Sequence, residues 1–324
     1  MIAPTPSTHL AAHTIKHWSV LEVSGNDVAG FLQGQITNDI SLLDSTTAIW
    51  AAHCNVKGRA LANFVVLRWS EKTFLLAPQS TGPILTSSLQ KYGIFNQIRI
   101  QTASFRLLGI CPDQWDAPWQ TLGLKAPKPA RFSVSACERG FAIRFSENAI
   151  CVALLTTAEP CNNTSDDPDF HAQEWAQEWD RRLIDAELGF ITQSTCESFI
   201  PIELNMDQNG GISFSKGCYL GQEIIARLHY KSSPKQRLTT LRLPENCPPL
   251  SPGDQLFKTM ETTTPIATII QVVQAQREQS SALAVVRLAE ITSPSLTVGA
   301  ITPFAGKIKT PAHLDITLPT LAQP

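Results

Sequence analysis

The sequence predicts an α+β fold with more than one domain. The chain has 324 residues, which is more than one small hydrophobic core usually accommodates. Strand and helix patterns follow one another without the regular βαβ rhythm of a parallel sheet, and this favours the α+β class. A proline-rich segment at 244–254 is followed by short strand patterns, which indicate a small all-β domain at the C-terminal end.

The N-terminal part is predicted to contain a loose tail, a strand and a short helix. Residues 1–14 include two prolines and lack periodicity, whereas residues 18–23 have a strand pattern. Asn26 or Asp27 is a suitable N-cap for the helix, because either side chain can accept a hydrogen bond from a first-turn N–H group. Gly34 is predicted to end this helix.

A β-hairpin is predicted next. Two apolar runs, 48–54 and 59–69, flank a turn at 55–58 that contains a Lys-Gly pair. Residues 81–92 have the pattern of an amphipathic helix that ends at Gly93. Further strands are predicted at 73–77, 96–101, 104–111, 131–137, 140–145, 149–155, 264–274 and 282–289, and a helix at 171–188 after a polar loop at 161–170.

Composition gives little support for a nucleic-acid or membrane partner. The net charge is −2, so no global electrostatic attraction to a polyanion is expected. A local basic cluster is interpreted as a solvated segment; it consists of Arg227, His229, Lys231, Lys235 and Arg237. The first fifteen residues lack the basic and apolar regions of a secretory signal, and no apolar run is long enough to cross a membrane, so a cytoplasmic location is expected.

Eight cysteines are scattered along the chain without any CxxC pair. This argues against a zinc ribbon or a local iron–sulfur loop, and no protein-only metal site is expected. Cys218 stands apart because it lies between Gly217 and Tyr219, directly after Lys216. A nearby cation and a following helix would both favour the thiolate form, with His53 or His229 as candidate bases. From residue types alone, a packed turn residue is the favoured reading of Cys218.

The octet KGCYLGQE at 216–223 resembles the signature of YgfZ-type folate-binding proteins, which are bacterial relatives of a mitochondrial iron–sulfur assembly factor. Other segments resemble this family in the same order, and the resemblance extends from residue 18 to about residue 240. These segments are 31–39, 52–59, 199–205 and 210–214.

The resemblance implies a fold similar to that of the glycine cleavage T-protein, a tetrahydrofolate-dependent aminomethyltransferase. This fold is a three-domain ring of two interleaved α+β (ferredoxin-like) domains and a C-terminal β-barrel. The implied folate-binding region is 1–236, divided into 1–47 with 160–236 and 48–159, and the implied barrel is 237–324.

The resemblance also implies a set of site residues. Cys218 matches the functional cysteine of the family, Trp18 matches a folate-binding tryptophan, and Asn63 matches a folate-facing position. Trp179 is the candidate for a second folate-binding tryptophan. Trp179 lies two residues before the strictly matching position, which Arg181 occupies. The other residues of the octet that match the family signature have no individual role implied by the resemblance. They are Lys216, Gly217, Tyr219, Gly221, Gln222 and Glu223.

Asn63 distinguishes two functions. Aminomethyltransferases carry a folate-facing aspartate at the matching position, and an amide cannot accept a proton at neutral pH. The resemblance therefore implies a folate-binding accessory protein for iron–sulfur enzymes, including those that thiolate or methylthiolate tRNA, rather than an ordinary enzyme. Its cofactor would be tetrahydrofolate or a one-carbon-substituted folate.

The implied partners are iron–sulfur enzymes or cluster carriers, including tRNA-modifying enzymes. No direct contact with nucleic acid or a membrane is predicted, and a monomer is expected. Two alternatives remain open, namely a true aminomethyltransferase and a non-catalytic iron–sulfur assembly scaffold.

Overall fold

The computed structural model describes residues 12–110, 124, 125, 127–155, 170–274, 280–291, 295–303 and 310–318. The α-helices in these ranges are α1 (Val28–Gln33), α2 (Gly82–Tyr92), α3 (Phe170–Asp185) and α4 (Gln222–Lys231). The strands are β1 (Ala12–Thr14), β2 (Trp18–Ser24), β3 (Ile49–Cys54), β4 (Ala60–Trp69), β5 (Lys72–Pro78), β6 (Arg99–Thr102), β7 (Phe105–Ile110), β8 (Val134–Cys137), β9 (Gly140–Ser146), β10 (Ala149–Leu155), β11 (Gln236–Arg242), β12 (Gln255–Phe257), β13 (Ala267–Val273), β14 (Ser281–Arg287), β15 (Ser295–Thr302) and β16 (Thr310–Thr317).

The strands form two five-stranded sheets and one closed barrel. The first sheet has the order β3-β4-β5-β2-β6, and the second has the order β1-β7-β10-β9-β8. The barrel has the order β11-β14-β13-β12-β15-β16. This arrangement confirms the predicted α+β class and the predicted C-terminal β-barrel. Among the barrel strands, β13 and β14 were predicted, whereas β11, β12, β15 and β16 were not.

The predicted strand and helix after the N-terminal tail, and the hairpin that follows them, are confirmed, with local chemistry that explains them. The Asp27 side chain caps α1 by accepting a hydrogen bond from the Gly30 N–H group at 3.0 Å. Gly34 is the C-cap of α1, and Gly93 is the C-cap of α2. The predicted hairpin forms from β3 and β4, which pair as antiparallel neighbours across the turn at 55–58.

One prediction needs correction, and another concerns residues outside the described ranges. The prediction of a loose tail is wrong for Ala12–Thr14, because these residues pair with β7 in antiparallel register. So short a strand has no periodicity of its own, and its partner strand supplies its hydrogen bonds. The predicted polar loop at 161–170 lies outside the described residues, except for Phe170 at the start of α3.

The sheets group the chain differently from the predicted boundaries within residues 1–236. Strand β2 pairs with β5 and β6, so the first sheet joins residues on both sides of the predicted boundary at residue 47. Strand β1 likewise belongs to the second sheet, with β7 to β10. These pairings are long-range and depend on register between distant segments, which no local sequence signal specifies.

The first sheet is buried on both faces, and this feature positions the site. One face packs on α1 and α2, where Leu32, Leu85 and Leu89 are fully buried. The opposite face packs on residues of the second sheet and of α3, in a core that contains Trp18, Trp50 and Trp179 among its members. Continuous apolar strands such as β3 follow from this two-sided burial.

Candidate functional site

Lys216 is buried and is held by three backbone carbonyl groups. Its Nζ atom donates hydrogen bonds to the carbonyl oxygens of Gln33 at 2.7 Å, Ile36 at 2.8 Å and Asn38 at 2.7 Å. An ammonium group has three N–H donors, so this arrangement uses all of them. Burial lowers the pKa of the Lys216 ammonium group to about 8, and the nearby Asp39 carboxylate opposes this effect.

The three carbonyl groups belong to the last residue of α1 and to the segment after it, and a second network of hydrogen bonds attaches this segment to β3. The Thr37 hydroxyl donates to the Gly211 carbonyl at 2.7 Å and accepts from the Ala52 N–H group at 2.9 Å. The Asn38 amide donates to the carbonyls of Trp50 and Gly210, each at 2.8 Å. The family-like segments at 31–39, 52–59 and 210–214 therefore meet around the base of the signature octet.

Cys218 is exposed, although nearby residues before and after it in the chain are held in place by contacts with the rest of the protein. Tyr219 is buried, and its ring lies 5.2 Å from the Lys216 ammonium group. Burial is the main cause that raises the pKa of the Tyr219 hydroxyl, with a further contribution from Cys54. The Leu220 N–H group donates to the Gly34 carbonyl at 3.1 Å. The thiol is thus presented to solvent by a fixed backbone.

Gly221 makes a close backbone contact that only glycine permits. Its φ angle is 82°, in the left-handed region, and a Cβ atom there would lie 2.7 Å from the Asn55 carbonyl oxygen and 2.9 Å from Gly58 Cα. Gly217, by contrast, has open space around it. The signature octet therefore packs against the β3–β4 turn at Gly221, just before α4 begins at Gln222.

The remaining motif residues lie in the first turn of α4, and neither candidate base contacts Cys218. Gln222 is half-buried and Glu223 is exposed. Both ring nitrogens of His53 are engaged, by the Gln35 carbonyl and the Ser88 hydroxyl, and burial lowers the His53 pKa to about 4. His229 instead stacks on Phe214. Within the described residues, no hydrogen bond or ion pair involves the Cys218 thiol.

Trp18 and Trp179 meet in one buried aromatic cluster. Their ring centroids are 6.0 Å apart, with an edge-to-face angle of 88°. Phe190 lies 4.6 Å from Trp18, and Phe145 lies 5.3 Å from Trp179. The sequence alone did not identify either phenylalanine as a site residue. Both indoles are buried, so a ligand at this cluster would lie inside the protein.

Trp179, rather than Arg181, points into this cluster. Two residues correspond to about 200° around an α-helix, so the side chains at 179 and 181 point to nearly opposite sides. The Arg181 guanidinium group lies 3.6 Å from the Glu178 carboxylate instead. The two-residue displacement in the sequence therefore leaves an aromatic ring beside Trp18.

Asn63 binds the chain that carries Phe190. Its amide nitrogen donates to the Gly189 carbonyl at 2.8 Å, and its amide oxygen accepts from the Ile191 N–H group at 2.7 Å. The side chain is fully buried. An amide can donate and accept at once, whereas an ionised carboxylate can only accept. Asn63 thus suits this backbone segment better than an ionised aspartate would.

Two indole N–H groups of the core fit a ligand that offers hydrogen-bond acceptors. The Nε1 atoms of Trp50 and Trp179 are buried, and neither has a hydrogen-bond partner in the described part of the chain. Trp50 belongs to the same cluster, because its ring lies 5.9 Å from that of Phe190. Buried donors normally have partners. An aromatic ring system with nitrogen and oxygen acceptors, such as a pterin, matches these donors chemically.

A surface cavity of about 430 Å³ adjoins the elements of this cluster. Ser146, which follows Phe145, and Arg182, which lies one turn after Trp179, both line it. Its lining is polar and carries charges of both signs. The lining residues are Pro129, Arg131, Ser146, Glu147, Asn148, Arg182, Asp185 and Ala186.

The described residues show neither a membrane-spanning helix nor a metal-binding group. No described helix is long and apolar enough to cross a membrane. In the same ranges, no group of three or more His, Cys, Asp and Glu side chains is arranged to hold a metal ion.

Comparison with a solved structure defines the class of fold. The glycine cleavage system aminomethyltransferase T from Bartonella henselae superposes with a TM-score of 0.64 over 97% of this chain and 86% of that protein. The sequence identity is 17%, so the likeness concerns the fold alone. The predicted T-protein-like fold is confirmed.

Sequence comparison defines the family. The tRNA-modifying protein YgfZ of Klebsiella pneumoniae is 30% identical over 267 residues, which cover 82% of this chain and 81% of that protein. The proteins of the same name from Escherichia coli strain SE11 and Sodalis glossinidius are 31% and 28% identical, over 75% and 84% of this chain and 77% and 84% of their own lengths. No model of a protein family matches the chain. The chain belongs to the YgfZ family.

Proposed function

We propose that this protein is a folate-binding accessory factor in tRNA modification, which supports iron–sulfur enzymes through Cys218. The contact between Trp18 and Trp179 carries the folate part of the proposal. These residues lie far apart in the sequence, and their rings are 6.0 Å apart. By resemblance, Trp18 matches one folate-binding position and Trp179 lies two residues before another. The similarity to tRNA-modifying proteins named YgfZ supports the link to tRNA modification.

The aromatic cluster would hold the pterin ring of a reduced folate. Trp18, Trp179 and Phe190 offer flat apolar surfaces, and the N–H groups of Trp50 and Trp179 offer donors for the ring heteroatoms. The neighbouring cavity contains Arg131, whose charge suits a carboxylate of a folate tail, whereas the Arg182 guanidinium group is paired with the Glu178 carboxylate at 2.8 Å. A bound folate would supply or accept a one-carbon unit.

Cys218 would act outside the folate cluster, on a partner. Its thiol is exposed, while Lys216 and Gly221 fix the backbone on either side of it. A thiol presented in this way can bind or exchange a sulfur species or a cluster ligand of another protein. The buried cysteines at 54 and 151 are unsuited to this role, because burial raises the pKa of both thiols.

The rival function is aminomethyl transfer. Asn63 argues against it, because its amide is engaged by Gly189 and Ile191 and cannot serve as a proton acceptor. The proposed function predicts no tetrahydrofolate-dependent turnover of an aminomethyl-lipoyl substrate by the purified protein.

Rescue of a strain that lacks this gene tests the proposed role of Cys218. Cys218→Ser should accumulate as folded protein and yet fail to restore methylthiolated tRNA, measured by mass spectrometry of nucleosides. Cys247→Ser is the matched control, since Cys247 is a half-buried cysteine outside the signature octet, and it should restore the modification. Full rescue by Cys218→Ser would contradict the proposal.

A further inference from the structure

The exposed surface of α4, the helix that begins within the signature octet, combines an aromatic stack with unpaired cations. Phe214 precedes Lys216 by two residues, and it packs on the second half of α4. We call this surface the α4 face and define it by six residues. They are Phe214, Arg227, His229, Tyr230, Lys231 and Lys235. The α4 face extends around the exposed side of α4, because Arg227 and Lys231 each lie about 200° from His229, and Tyr230 lies between them and His229.

The aromatic part of the α4 face has the geometry of a stacking platform. The Phe214 and His229 rings are nearly parallel, at 14°, with centroids 3.8 Å apart. The Tyr230 ring stands nearly perpendicular to both, at 72° and 80°. His229 and Tyr230 are exposed, and 67% of the Tyr230 surface is accessible. Phe214 covers one side of the imidazole ring, and the exposed opposite side can receive another planar ring.

The charges of the α4 face are positive and available. Arg227, Lys231 and Lys235 are exposed, and no ion pair in the described part of the chain involves them. The acidic residue of α4, Glu223, lies in the first turn, away from the aromatic rings. Arg237 does not contribute, because it forms a bidentate ion pair with Asp207 at 2.6 and 2.9 Å.

We propose that the α4 face binds an unpaired segment of RNA directly. An unstacked base would stack on the exposed side of His229, with the Tyr230 ring beside it. Arg227 and Lys231 lie beyond Tyr230 around the helix, and together with Lys235 they would contact phosphates further along the RNA segment. Stacking on aromatic rings beside basic side chains is the usual mode of binding to single-stranded RNA. Aromatic and basic side chains also occur at protein interfaces, so RNA is chosen over an acidic protein surface because of the proposed role in tRNA modification.

This inference revises the expectation of no direct contact with nucleic acid. The sequence shows the basic cluster, but it could not show that Phe214 stacks on His229 or that Arg237 is withdrawn into an ion pair. The choice of RNA as ligand rests on the proposed role in tRNA modification. Binding is tested without folate and without any iron–sulfur enzyme, so the two proposals fail separately.

The test uses fluorescence anisotropy with the full chain and two RNAs of equal length. One is a labelled hairpin with a single-stranded loop, and the other is fully double-stranded. The hairpin should bind more tightly. His229→Ala should weaken hairpin binding about tenfold and leave the duplex unaffected. His229→Phe should retain hairpin binding, because it keeps a planar ring on Phe214, and it also controls for a folding defect.

Two charge variants complete the test. The double variant Lys231→Gln, Lys235→Gln should weaken binding of both RNAs and reduce the slope of log affinity against log salt by about two. Arg68→Gln is the matched control, since Arg68 is exposed near the far end of β4, and it should bind as the wild type does. Equal affinity for hairpin and duplex without an effect of His229→Ala would overturn the proposal. Competition by poly-glutamate as effective as that by the hairpin would also overturn it, in favour of an acidic protein partner.

Discussion

The buried ammonium group of Lys216 donates a 2.7 Å hydrogen bond to the backbone carbonyl of Asn38, while the Asn38 side chain donates to the carbonyl of Trp50. This pair joins the exposed Cys218 segment to the core that contains the aromatic cluster. The Cys218 segment and the aromatic cluster, which have different proposed tasks, therefore share one rigid connection. Substitution of Lys216 should lower the stability of the folded protein.

Replacing Lys216 with methionine should destabilise the protein by about 2 kcal/mol, because it leaves three partly or fully buried carbonyl groups without their donor. Urea unfolding measures this loss. Lys231→Met is the matched control at an exposed position of α4, and its effect should stay within about 0.5 kcal/mol. Equal stability of the two variants would contradict the anchoring role of Lys216.

The two glycines of the signature octet should respond differently to alanine. Gly221→Ala should cost about 2 kcal/mol, because Gly221 has a positive φ angle and its Cβ would collide with Asn55 and Gly58. Gly217→Ala should be close to neutral, since nothing lies near its added methyl group. Thermal unfolding of both variants distinguishes them, and a larger loss for Gly217→Ala would show that the contact with the hairpin turn is misassigned.

Stability should fall as the pH is lowered from 6.5 to about 4, and His53 should be responsible for part of the loss. Burial keeps the folded pKa of His53 near 4, whereas the unfolded chain binds the proton near 6.5. The unfolded state therefore binds more protons in this window, and the stability that is present above pH 6.5 is lost towards pH 4. The difference between the two pKa values corresponds to about 3 kcal/mol of the free energy of unfolding.

Urea unfolding of wild type and His53→Gln at both ends of this window isolates the contribution of His53. Glutamine does not titrate, so the free energy of unfolding of the variant should fall by about 3 kcal/mol less than that of the wild type between these two pH values. Identical pH dependence in the two proteins would contradict the assigned burial of His53.

Asn63→Asp should destabilise the protein by about 3 kcal/mol at neutral pH. The ionised carboxylate would be buried, and it could not donate to the Gly189 carbonyl. Burial should raise the pKa of the new carboxyl group, and its protonated form can both donate and accept. Stability relative to wild type should therefore recover as the pH falls. Unfolding curves at several pH values test this, and a variant with no such recovery would refute the proposed bonding.

Local signals predicted the first helices and the hairpin between them correctly. Asp27, Gly34 and Gly93 act as the caps that their residue types indicate, and the apolar runs around residues 55–58 form the predicted hairpin. These features depend on neighbours in the sequence, such as the first-turn N–H group that Asp27 accepts from.

Long-range features could not be predicted in this way. The pairing of β1 with β7 and the bond between Asn63 and Gly189 join segments whose register no local pattern specifies. The resemblance to the YgfZ family identified Trp18 and Trp179, but it gave no sign of Phe145 between them or of the stack of Phe214 on His229. Those contacts depend on tertiary packing.

Direct binding of tetrahydrofolate tests the central claim most directly. Calorimetric titration of the folded protein under anaerobic conditions should give saturable binding, and Trp18→Phe should weaken the affinity about tenfold through loss of aromatic contact. Trp69→Phe is the matched control, because Trp69 packs in a separate group with Phe74 and Phe105, and it should bind as the wild type does. Absence of binding heat with folded wild-type protein, or equal weakening by both substitutions, would contradict a folate site at the Trp18–Trp179 cluster.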